Sequence, residues 1–268
     1  MSYETILVTA SDGATCITFN RPDRRNPLSP QMIDEVLEAL TAAASDHNGC
    51  LILTGAGKAF CAGLDLEHLK SLAKKSLDEH RSESARVARL MRTLYEFPKP
   101  TIAAVNGPAV AGGAGLATIC DFTFASTEAK FAYTEVKIGF LPAVVSTFLI
   151  AQIGDKRARD LLLTARLIDA KEAARLGLVN DVVEPEDLMP RVREIAALLN
   201  SNSLASLKAT KKLLLSFARA RLDADLTAAQ EENALMRTDP DFFEGISSFL
   251  ERRSAVWPSR APRTHPDK

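Results

Sequence analysis

The sequence contains the same local pattern twice: a short apolar run, a glycine-rich turn and a helical segment. The pattern occupies residues 51–72 and again residues 101–119. Each apolar run is bounded by turn residues, which is typical of a strand covered on both faces. Strands that alternate with helices pair in parallel, because the connection between them is long enough to hold a helix. The sequence therefore predicts an α/β core with parallel strands.

The start of the chain predicts a hairpin followed by a helix. Two β-rich runs, residues 4–9 and 14–20, flank a polar, glycine-containing turn at 11–13, which is the usual pattern of an antiparallel hairpin. The dipeptide Ser-Pro at 29–30 supplies an N-cap and a proline at the first helical position, and apolar residues then recur at helical spacing. We expect one face of this helix to be buried.

From about residue 143 onward the pattern is almost entirely helical, apart from one strand at 179–183. The predicted helices are 143–152, 156–164, 169–176, 186–200, 203–221, 224–236 and 240–252. We expect residues 1–200 to form the α/β core that carries the site. Residues 201–268 are expected to form a helical region that contacts neighbouring subunits.

Charge and cysteine usage narrow the class of protein. Lys plus Arg number 33 and Asp plus Glu 34, a formal charge of −1, which argues against a nucleic acid or an anionic membrane as the main partner. No segment reaches the roughly 18 apolar residues of a membrane helix, and the N-terminus lacks a signal-peptide pattern. The cysteines stand singly, without the spacing of a metal or redox site. We expect a cytoplasmic protein without a metal site.

The glycine-rich turns do not match the nucleotide-binding motifs. The first, GAG at 55–57, begins like a dinucleotide fingerprint, but Phe60 occupies the place of the third glycine. Lys58 is followed by Ala59 rather than Ser or Thr, which excludes a Walker motif. A glycine cluster alone most often serves close backbone packing. Two turns that each open a helix can also present free N–H groups to one oxygen, an oxyanion hole worth ~3–4 kcal/mol per donor in the transition state.

Five segments, taken together and in order, resemble the crotonase superfamily, also called the enoyl-CoA hydratase/isomerase family. They are RPDRRNPLS (21–29), LTGAGKAFCAGLDL (53–66), KPTIAAVNGPAVAGGAGLATICDFTFAS (99–126), FAYTEVKIGFLP (131–142) and ARLIDAKEAARLGLVNDVV (165–183). The resemblance implies a spiral core of ββα units with a helical C-terminal region. It also implies an acyl-CoA thioester substrate, no metal or redox cofactor, and a homo-hexamer built as a dimer of trimers, or a homotrimer.

The resemblance further implies which residues would stabilise an enolate. The backbone N–H groups of Leu64 and Gly112 would hold the thioester oxygen, and Glu135 would move the proton. Family members that hydrate enoyl-CoA commonly use a second glutamate, twenty residues earlier. That position is Gly115 here, so the sequence is expected to rely on a single carboxylate.

Several functions remain open after this comparison. One glutamate is sufficient to move a proton between two carbons, as a Δ3,Δ2-enoyl-CoA isomerase requires, whereas two carboxylates are convenient for hydration. Some relatives hydrate with one, so we weigh hydratase and isomerase about equally. A non-catalytic acyl-CoA binding protein is a further alternative. A dehalogenase is disfavoured because its nucleophilic aspartate would fall at Ala143. From the residues alone, Glu135 could also be a surface carboxylate paired with Lys130 or Lys137.

The residues expected to bind CoA also come from the resemblance. Arg25 matches a position that is often basic and contacts the CoA phosphates, and Ala62 and Leu66 match residues that line the adenine. Gly113 lies in the second turn, where small residues would let the thioester approach closely. Relatives often have Lys or Arg at the position that is Glu67 here, which would repel a phosphate.

Because the negative charge of Glu67 cannot attract the phosphates, a positively charged residue at another position is expected to bind them. The candidates are Arg24, Arg25, or Arg252 from a neighbouring subunit. Phe249 and Arg252 lie in a segment that matches a C-terminal family helix, which would reach the acyl-CoA of an adjacent subunit. Chain length, branching and stereochemistry of the acyl group do not follow from the sequence.

Overall fold

The computed structural model describes residues 3–72 and 75–260. The strands are β1 (Ile6–Ser11), β2 (Ala14–Phe19), β3 (Cys50–Gly55), β4 (Thr101–Val105), β5 (Ala109–Val110), β6 (Phe122–Ser126), β7 (Lys130–Ala132), β8 (Ile168–Asp169) and β9 (Asp181–Val183). The helices are α1 (Pro30–Ser45), α2 (Leu66–Ser71), α3 (Leu77–Tyr95), α4 (Gly112–Ile119), α5 (Ala143–Ile153), α6 (Asp155–Thr164), α7 (Ala170–Leu176), α8 (Leu188–Asn200), α9 (Leu204–Met236) and α10 (Pro240–Leu250). Short 3-10 helices cover Pro22–Arg24, Glu135–Ile138, Pro185–Asp187 and Pro258–Arg260.

The main sheet confirms the prediction of parallel strands. Within the described ranges it has the order β1-β2-β3-β4-β6-β9. Only the β1–β2 hairpin is antiparallel, and Leu51 pairs with Thr101 and Ile102 with Phe122 in the parallel part. A smaller sheet has the order β5-β7-β8. The hairpin turn adopts positive φ at Asp12 and Gly13, as tight β-hairpins require.

Both faces of the main sheet are covered. On one face, residues of α1, α3, α4 and α5 form the largest apolar cluster with alternate side chains of the strands. On the other face, α8 packs on Ile52, Ile102 and Phe124. Helix α1 begins as predicted, because the Ser29 side chain accepts a hydrogen bond from the Met32 N–H at 3.2 Å.

The C-terminal helices differ from the prediction at one point. The sequence predicts separate helices at 203–221 and 224–236, but α9 runs without a break over 33 residues. Nothing at 222–223 stops a helix: Leu222 is buried in the main core, and Asp223 accepts a hydrogen bond from Arg92 on α3. Helix α9 therefore packs along α3 and α5, and its last turns reach the cavity described below. The division of the chain at residue 200 stays a prediction.

Candidate active site

The two glycine-rich turns pack directly on each other. Cys61 forms a β-bridge with Ala109, and the Cys61 carbonyl accepts a hydrogen bond from the Val110 N–H at 2.9 Å. A Cβ atom added to Gly63 would lie 2.8 Å from the Val110 oxygen, and one added to Gly113 would lie 2.3 Å from the Cys61 oxygen. Side chains at these two positions would push the turns apart. Gly113 is therefore needed for backbone packing.

This packing brings two free backbone donors to one place. A Cβ position on Gly63 lies only 3.5 Å from the Gly112 nitrogen, and Leu64 follows Gly63 in the chain. Among the residues that the structure describes, neither the Leu64 N–H nor the Gly112 N–H donates to a protein acceptor. Both residues line the same cavity. Two unsatisfied N–H groups at one site are what an oxyanion requires.

Helix α4 adds to the positive potential at this point. The helix starts at Gly112, so its N-terminal partial charge lies at the donor pair. The preceding residue, Ala111, has φ 51° and ψ −123°, a conformation that is favourable for glycine but strained for alanine. The Ala111 N–H donates to the Ala132 carbonyl at 2.7 Å, which holds the strained residue in place. The turn is therefore fixed before any ligand binds.

The cavity beside these donors has a volume of about 340 Å³. Its wall is mainly apolar and comes from α2, α3, α5, α9, α10 and the two turns. The ionisable side chains in the wall of the described structure are Glu135, Lys137 and Arg237. A largely apolar cavity with a few polar groups is typical of a site for a small organic ligand.

Glu135 lies in this wall and is 8% exposed. It begins the 3-10 helix Glu135–Ile138, and its Oε2 atom is buried without a hydrogen-bond partner. Burial raises the pKa of Glu135 to about 7, although its own backbone N–H acts in the opposite direction. No ion pair joins Glu135 to Lys130 or Lys137, all of which are described, so the surface-carboxylate alternative is wrong. A carboxyl group with a pKa near neutrality is suited to carrying a proton.

Helix α10 holds the turn that carries Glu135. A Cβ added to Gly245 would lie 2.2 Å from the Ile138 carbonyl, and one added to Gly139 would lie 2.1 Å from the Asp241 oxygen. The rings of Phe140 and Phe242 pack with their centroids 5.0 Å apart. These close approaches were not predicted, because the sequence does not indicate which glycines face each other.

Position 115 lies outside the cavity wall. A Cβ on Gly115 would come within 2.6 Å of the Val145 Cγ1 atom and 3.5 Å of the Met91 Cε atom. Val145 and Met91 both line the cavity, so apolar side chains take the space in front of Gly115. Ala143 also lies in the wall. The expectation of a single carboxylate is consistent with this packing.

Only some of the residues predicted to bind CoA line the cavity. Ala62, Leu66 and Phe249 line the cavity, whereas Arg25 and Arg252 do not. Phe249 is 59% exposed and lies at the cavity of its own chain. Helix α10 folds back onto the turn that holds Glu135 in its own chain, and the expected contact with the acyl-CoA of an adjacent subunit stays a prediction.

The arginines next to the first turn are not equivalent. Arg24 is paired with Glu67 at 2.8 Å and with Asp65 at 3.4 Å. Arg25 is exposed and has no ion-pair partner in the described part of the chain. The Arg25 carbonyl accepts a hydrogen bond from the Ala62 N–H at 3.0 Å, which places this residue at the rim of the cavity. Of the two, Arg25 is the one with a free charge.

Two polar residues in the cavity wall, Asn233 and Arg237, were not predicted from the sequence. Both are buried, with Arg237 only 1% exposed. A signal for them was present. The buried stripe of α9 passes through Leu222, Leu226 and Ala229 and continues at the same helical spacing to both polar residues. The predicted break at 222–223 separated Leu222 from the rest of the stripe, and the predicted helix ended at residue 236, one residue before Arg237.

The described residues show no metal-binding cluster, no membrane-spanning helix and no disulfide bond. Residues 3–72 and 75–260 contain no group of three or more His, Cys, Asp or Glu side chains arranged to hold a metal ion. None of the helices in those ranges is both long and apolar enough to cross a membrane. The four cysteines, all within the described ranges, are unpaired.

Comparisons with known proteins agree with the architecture. The family model described as enoyl-CoA hydratase/isomerase matches residues 9–260. A putative enoyl-CoA hydratase of Thermus thermophilus is 44% identical over 249 residues, covering 92% of this chain and 98% of the relative. The crotonyl-CoA hydratase of Syntrophomonas wolfei is 35% identical over 263 residues, covering 97% and 100%.

Solved structures give the same result. An enoyl-CoA hydratase/isomerase from Xanthobacter autotrophicus superposes with a TM-score of 0.88 at 30% identity, covering 93% of this chain and 94% of that one. The predicted crotonase-like α/β fold with a helical C-terminal region is therefore confirmed. With a family model that spans almost the whole chain and relatives of full length, this chain belongs to the enoyl-CoA hydratase/isomerase family.

Proposed function

We propose that the protein is an enzyme that adds water to an enoyl-CoA thioester through an oxyanion-stabilised enolate. One observation carries the proposal: the buried carboxyl group of Glu135 shares a cavity with the free N–H groups of Leu64 and Gly112. The relatives named enoyl-CoA hydratase support the hydration reaction. CoA would be part of the substrate, and the proposed chemistry uses only side chains and backbone of this chain.

The proposed reaction needs one group that takes and returns a proton. Glu135 in its ionised form would remove a proton from water as the oxygen bonds to the β-carbon. The electron pair of the double bond would move to the thioester oxygen, where the N–H groups of Leu64 and Gly112 hold the negative charge. Glu135 would then return the proton to the α-carbon. The sum is addition of one water molecule, and the enzyme is regenerated.

A second candidate is a Δ3,Δ2-enoyl-CoA isomerase, and Gly115 favours it. A second carboxylate is absent where many hydratases of the family would have one, and the side chain of Val145 occupies the space in front of Gly115. As an isomerase, Glu135 would remove a proton from the α-carbon of a 3-enoyl thioester and return it to the γ-carbon. The same oxyanion donors would hold the dienolate between the two steps.

The test uses 2-enoyl and 3-enoyl thioesters of CoA and follows the absorbance of the conjugated enoyl group. Loss of absorbance from a 2-enoyl substrate means hydration, and gain from a 3-enoyl substrate means isomerisation. Glu135→Gln should lower kcat by roughly 10²–10⁴-fold. Glu128→Gln is the matched control, because Glu128 is an exposed glutamate with no pairing partner in the described structure. Retention of most of kcat/KM by Glu135→Gln would contradict the mechanism.

A protein that only binds acyl-CoA would fail a different test. An enzyme with this site should accelerate solvent deuterium exchange at the α-carbon of a bound saturated acyl-CoA, whereas a binding protein should not. The exchange should disappear in Glu135→Gln and persist in Glu128→Gln. Absence of exchange in the wild type, together with measurable binding, would favour the binding protein.

For CoA recognition we propose that Arg25 contacts the phosphates, with Ala62 and Leu66 against the adenine. The support is the free charge of Arg25 at the rim of the cavity, in contrast to the paired Arg24. Arg25→Gln should raise KM with little change in kcat, because a phosphate contact is the same in the ground state and the transition state. A role for Arg252 from a neighbouring subunit, with Gly113 near the thioester, stays a prediction.

We also propose a cytoplasmic homo-hexamer or homotrimer. Support for assembly comes from α9, where Leu213, Leu214 and Phe217 are 56%, 60% and 76% exposed. An apolar cluster of this kind on one helix is typical of a subunit interface. Phe217→Asp should shift the mass measured by light scattering towards the monomer. The unpaired cysteines are consistent with a reducing compartment.

A further inference from the structure

The proposed reaction leaves one buried charge in the cavity without a role. Arg237 is only 1% exposed and lines the same cavity as Glu135. Its Nη2 atom donates to the Asn233 Oδ1 atom at 3.2 Å, but its Nε and Nη1 atoms are buried without an acceptor. A guanidinium group can donate five hydrogen bonds. Most of that capacity is unused.

The neighbours of Arg237 do not neutralise it. Its Cζ atom lies 5.6 Å from the centre of the Phe140 ring, a contact that attracts a cation without satisfying its N–H groups. The carboxylate of Glu83 is paired with His68 at 3.2 Å, and no ion pair joins any described carboxylate to Arg237. Burial lowers the pKa of Arg237 to about 10, with Glu83 acting in the opposite direction. The group is therefore still a cation at neutral pH.

Glu135 and Arg237 also fail to pair with each other. Both line the cavity, yet no contact within 4.0 Å links the carboxylate to the guanidinium. An unpaired buried cation lowers stability. A ligand that places a negative charge next to Arg237 would compensate for the cost of burying this cation without a partner.

We propose that Arg237 binds a carboxylate at the distal end of the acyl chain, so that the preferred substrate is a CoA monothioester of an unsaturated dicarboxylic acid. The inference rests on the proposed function, since the oxyanion donors must fix the thioester end. The thioester oxygen would lie at Leu64 and Gly112, the reacting carbons at Glu135, and the free carboxylate at Arg237. The apolar wall between these groups would contact the intervening chain.

The first test needs no variant. Pairs of 2-enoyl-CoA thioesters of increasing chain length are compared, in which one member ends in a carboxylate and the other in the corresponding methyl ester. We expect the acid to exceed the ester in kcat/KM by roughly 10- to 100-fold at the matching length, since hydrogen bonds to charged groups are strong. Equal values for acid and ester at every length would overturn the proposal.

Variants test whether Arg237 is the residue that causes the preference for the acid over the ester. Arg237→Gln should lower kcat/KM for the acid far more than for the ester, so that the preference for the acid disappears, and Arg237→Lys should keep part of the preference. Arg159→Gln is the control, because Arg159 is an exposed arginine on α6 outside the cavity. An equal loss for acid and ester in Arg237→Gln would contradict the proposal, because it would indicate a CoA phosphate contact or a purely structural role.

Binding of unreactive analogues separates this inference from the proposed function. The Kd values of a saturated dicarboxylic monothioester of CoA and of its methyl ester are measured by calorimetry with wild type and Arg237→Gln. If no enoyl thioester is turned over but the saturated acid still binds more tightly through Arg237, the proposed reaction is wrong and the carboxylate site stands. If turnover occurs and the two Kd values are equal, the reaction stands and the carboxylate site is wrong.

Discussion

Two regions of the molecule bury charged groups in different ways. Near the start of β4, two lysines are buried with their ammonium groups hydrogen-bonded. In the cavity, Glu135 and Arg237 are buried with polar atoms that have no hydrogen-bond partner. The Lys99 Nζ atom donates to the Ala43 carbonyl at 2.7 Å, to the Asp46 carbonyl at 2.9 Å and to the Asp46 Oδ1 atom at 2.6 Å. Lys211 donates to the Lys99 carbonyl at 3.1 Å and to Asp121 at 2.5 Å. The fold can therefore satisfy a buried charge where the charge is structural.

This difference indicates which buried charges belong to the fold and which to a ligand. Burial would raise the pKa of Asp46, but hydrogen bonds from Lys99, Thr15 and Asn48 outweigh it and lower the pKa to about 2. In the cavity, burial raises the pKa of Glu135 with little opposition. Polar groups that are left unsatisfied reduce stability, so their presence in one cavity points to binding and catalysis.

Lysine removal should give the largest effect on stability. Lys99→Met leaves the Ala43 and Asp46 carbonyls without their Lys99 donor. It also removes the ion-pair partner of the Asp46 carboxylate, which keeps its hydrogen bonds from Thr15 and Asn48, so the free energy of unfolding should fall by about 3–5 kcal/mol. Arg237→Met removes a cation without an ion-pair partner and should leave stability unchanged or raise it. Urea denaturation at one fixed protein concentration measures both. An equal loss in the two variants would show that Arg237 is structural, and the comparison would fail.

The pH dependence of stability should report the ionisation of Glu135. Its folded-state pKa of about 7 lies above its ordinary value of 4.5, so between these values the native state retains a proton that the unfolded state has released. The contribution of Glu135 to the free energy of unfolding therefore falls by about 3 kcal/mol in total as pH rises from 4.5 to 7. Above pH 7 this contribution is constant. Below pH 4.5 the group is protonated in both states and makes no difference.

Glu135→Gln isolates this contribution, because the amide does not titrate. The variant should gain about 3 kcal/mol relative to wild type between pH 4 and pH 8 in the free energy of unfolding. In the wild type, kcat/KM should rise with pH through about 7, since the ionised carboxylate is the base. A constant difference between the two proteins across this range would mean that Glu135 is not buried in its ionised form.

Gly245→Ala should separate positioning of Glu135 from general stability. The new Cβ would lie 2.2 Å from the Ile138 carbonyl, so α10 and the turn at 135–139 must move apart. The free energy of unfolding should fall by ~1–3 kcal/mol. Because Glu135 moves with this turn, kcat should also fall. Thermal unfolding and kcat are measured together.

The matched control for this prediction is Gly177→Ala. Gly177 has φ 90° and no atom within 4 Å of an added Cβ, so the substitution costs stability through backbone conformation alone, by roughly 1 kcal/mol. Its kcat should equal that of the wild type. A normal kcat in Gly245→Ala, with a similar loss of stability, would show that α10 does not position the carboxylate.

The two glycine-rich turns with free backbone N–H groups could be predicted from the sequence, because their signals are local. A buried strand, a glycine-rich turn and a helix start predict free N–H groups at the turns, and the resemblance implies that they belong to Leu64 and Gly112 and that Glu135 is the carboxylate. The sequence could not distinguish a glycine that contacts a ligand from one that contacts another strand. Gly113 was predicted to lie near the thioester, and the structure adds that a Cβ on this residue would lie 2.3 Å from the Cys61 oxygen. Both roles require a missing Cβ, and only the packing of the two turns decides between them.

Residues that act through distant packing were harder to predict. Arg24 and Arg25 are adjacent and equivalent in the sequence, and only the position of Glu67 shows that Arg24 is the neutralised one. Arg237 enters the cavity because α9 continues unbroken along α3. The sequence shows this continuity only as a stripe of apolar residues. The predicted break at 222–223 shortened that stripe, and the predicted helix end at 236 left Arg237 outside it.

The smallest expected effect concerns backbone strain beside the oxyanion donors. Ala111 has φ 51° and ψ −123°, a conformation that costs an alanine of order 1–3 kcal/mol. Glycine adopts it freely but loses more chain entropy on folding, by roughly 0.5–1 kcal/mol. Ala111→Gly should therefore raise the free energy of unfolding by about 1 kcal/mol.

The effect of Ala111→Gly on catalysis should be small and in the opposite direction. The Ala111 N–H still donates to the Ala132 carbonyl, so the Gly112 N–H keeps its direction, but the turn becomes more flexible. We expect kcat to fall by no more than a few-fold, because a pre-organised donor is worth more than a mobile one. If the variant is instead less stable than wild type, the backbone of Ala111 is not strained. The cavity would then contain buried polar groups without partners but no strained backbone beside them.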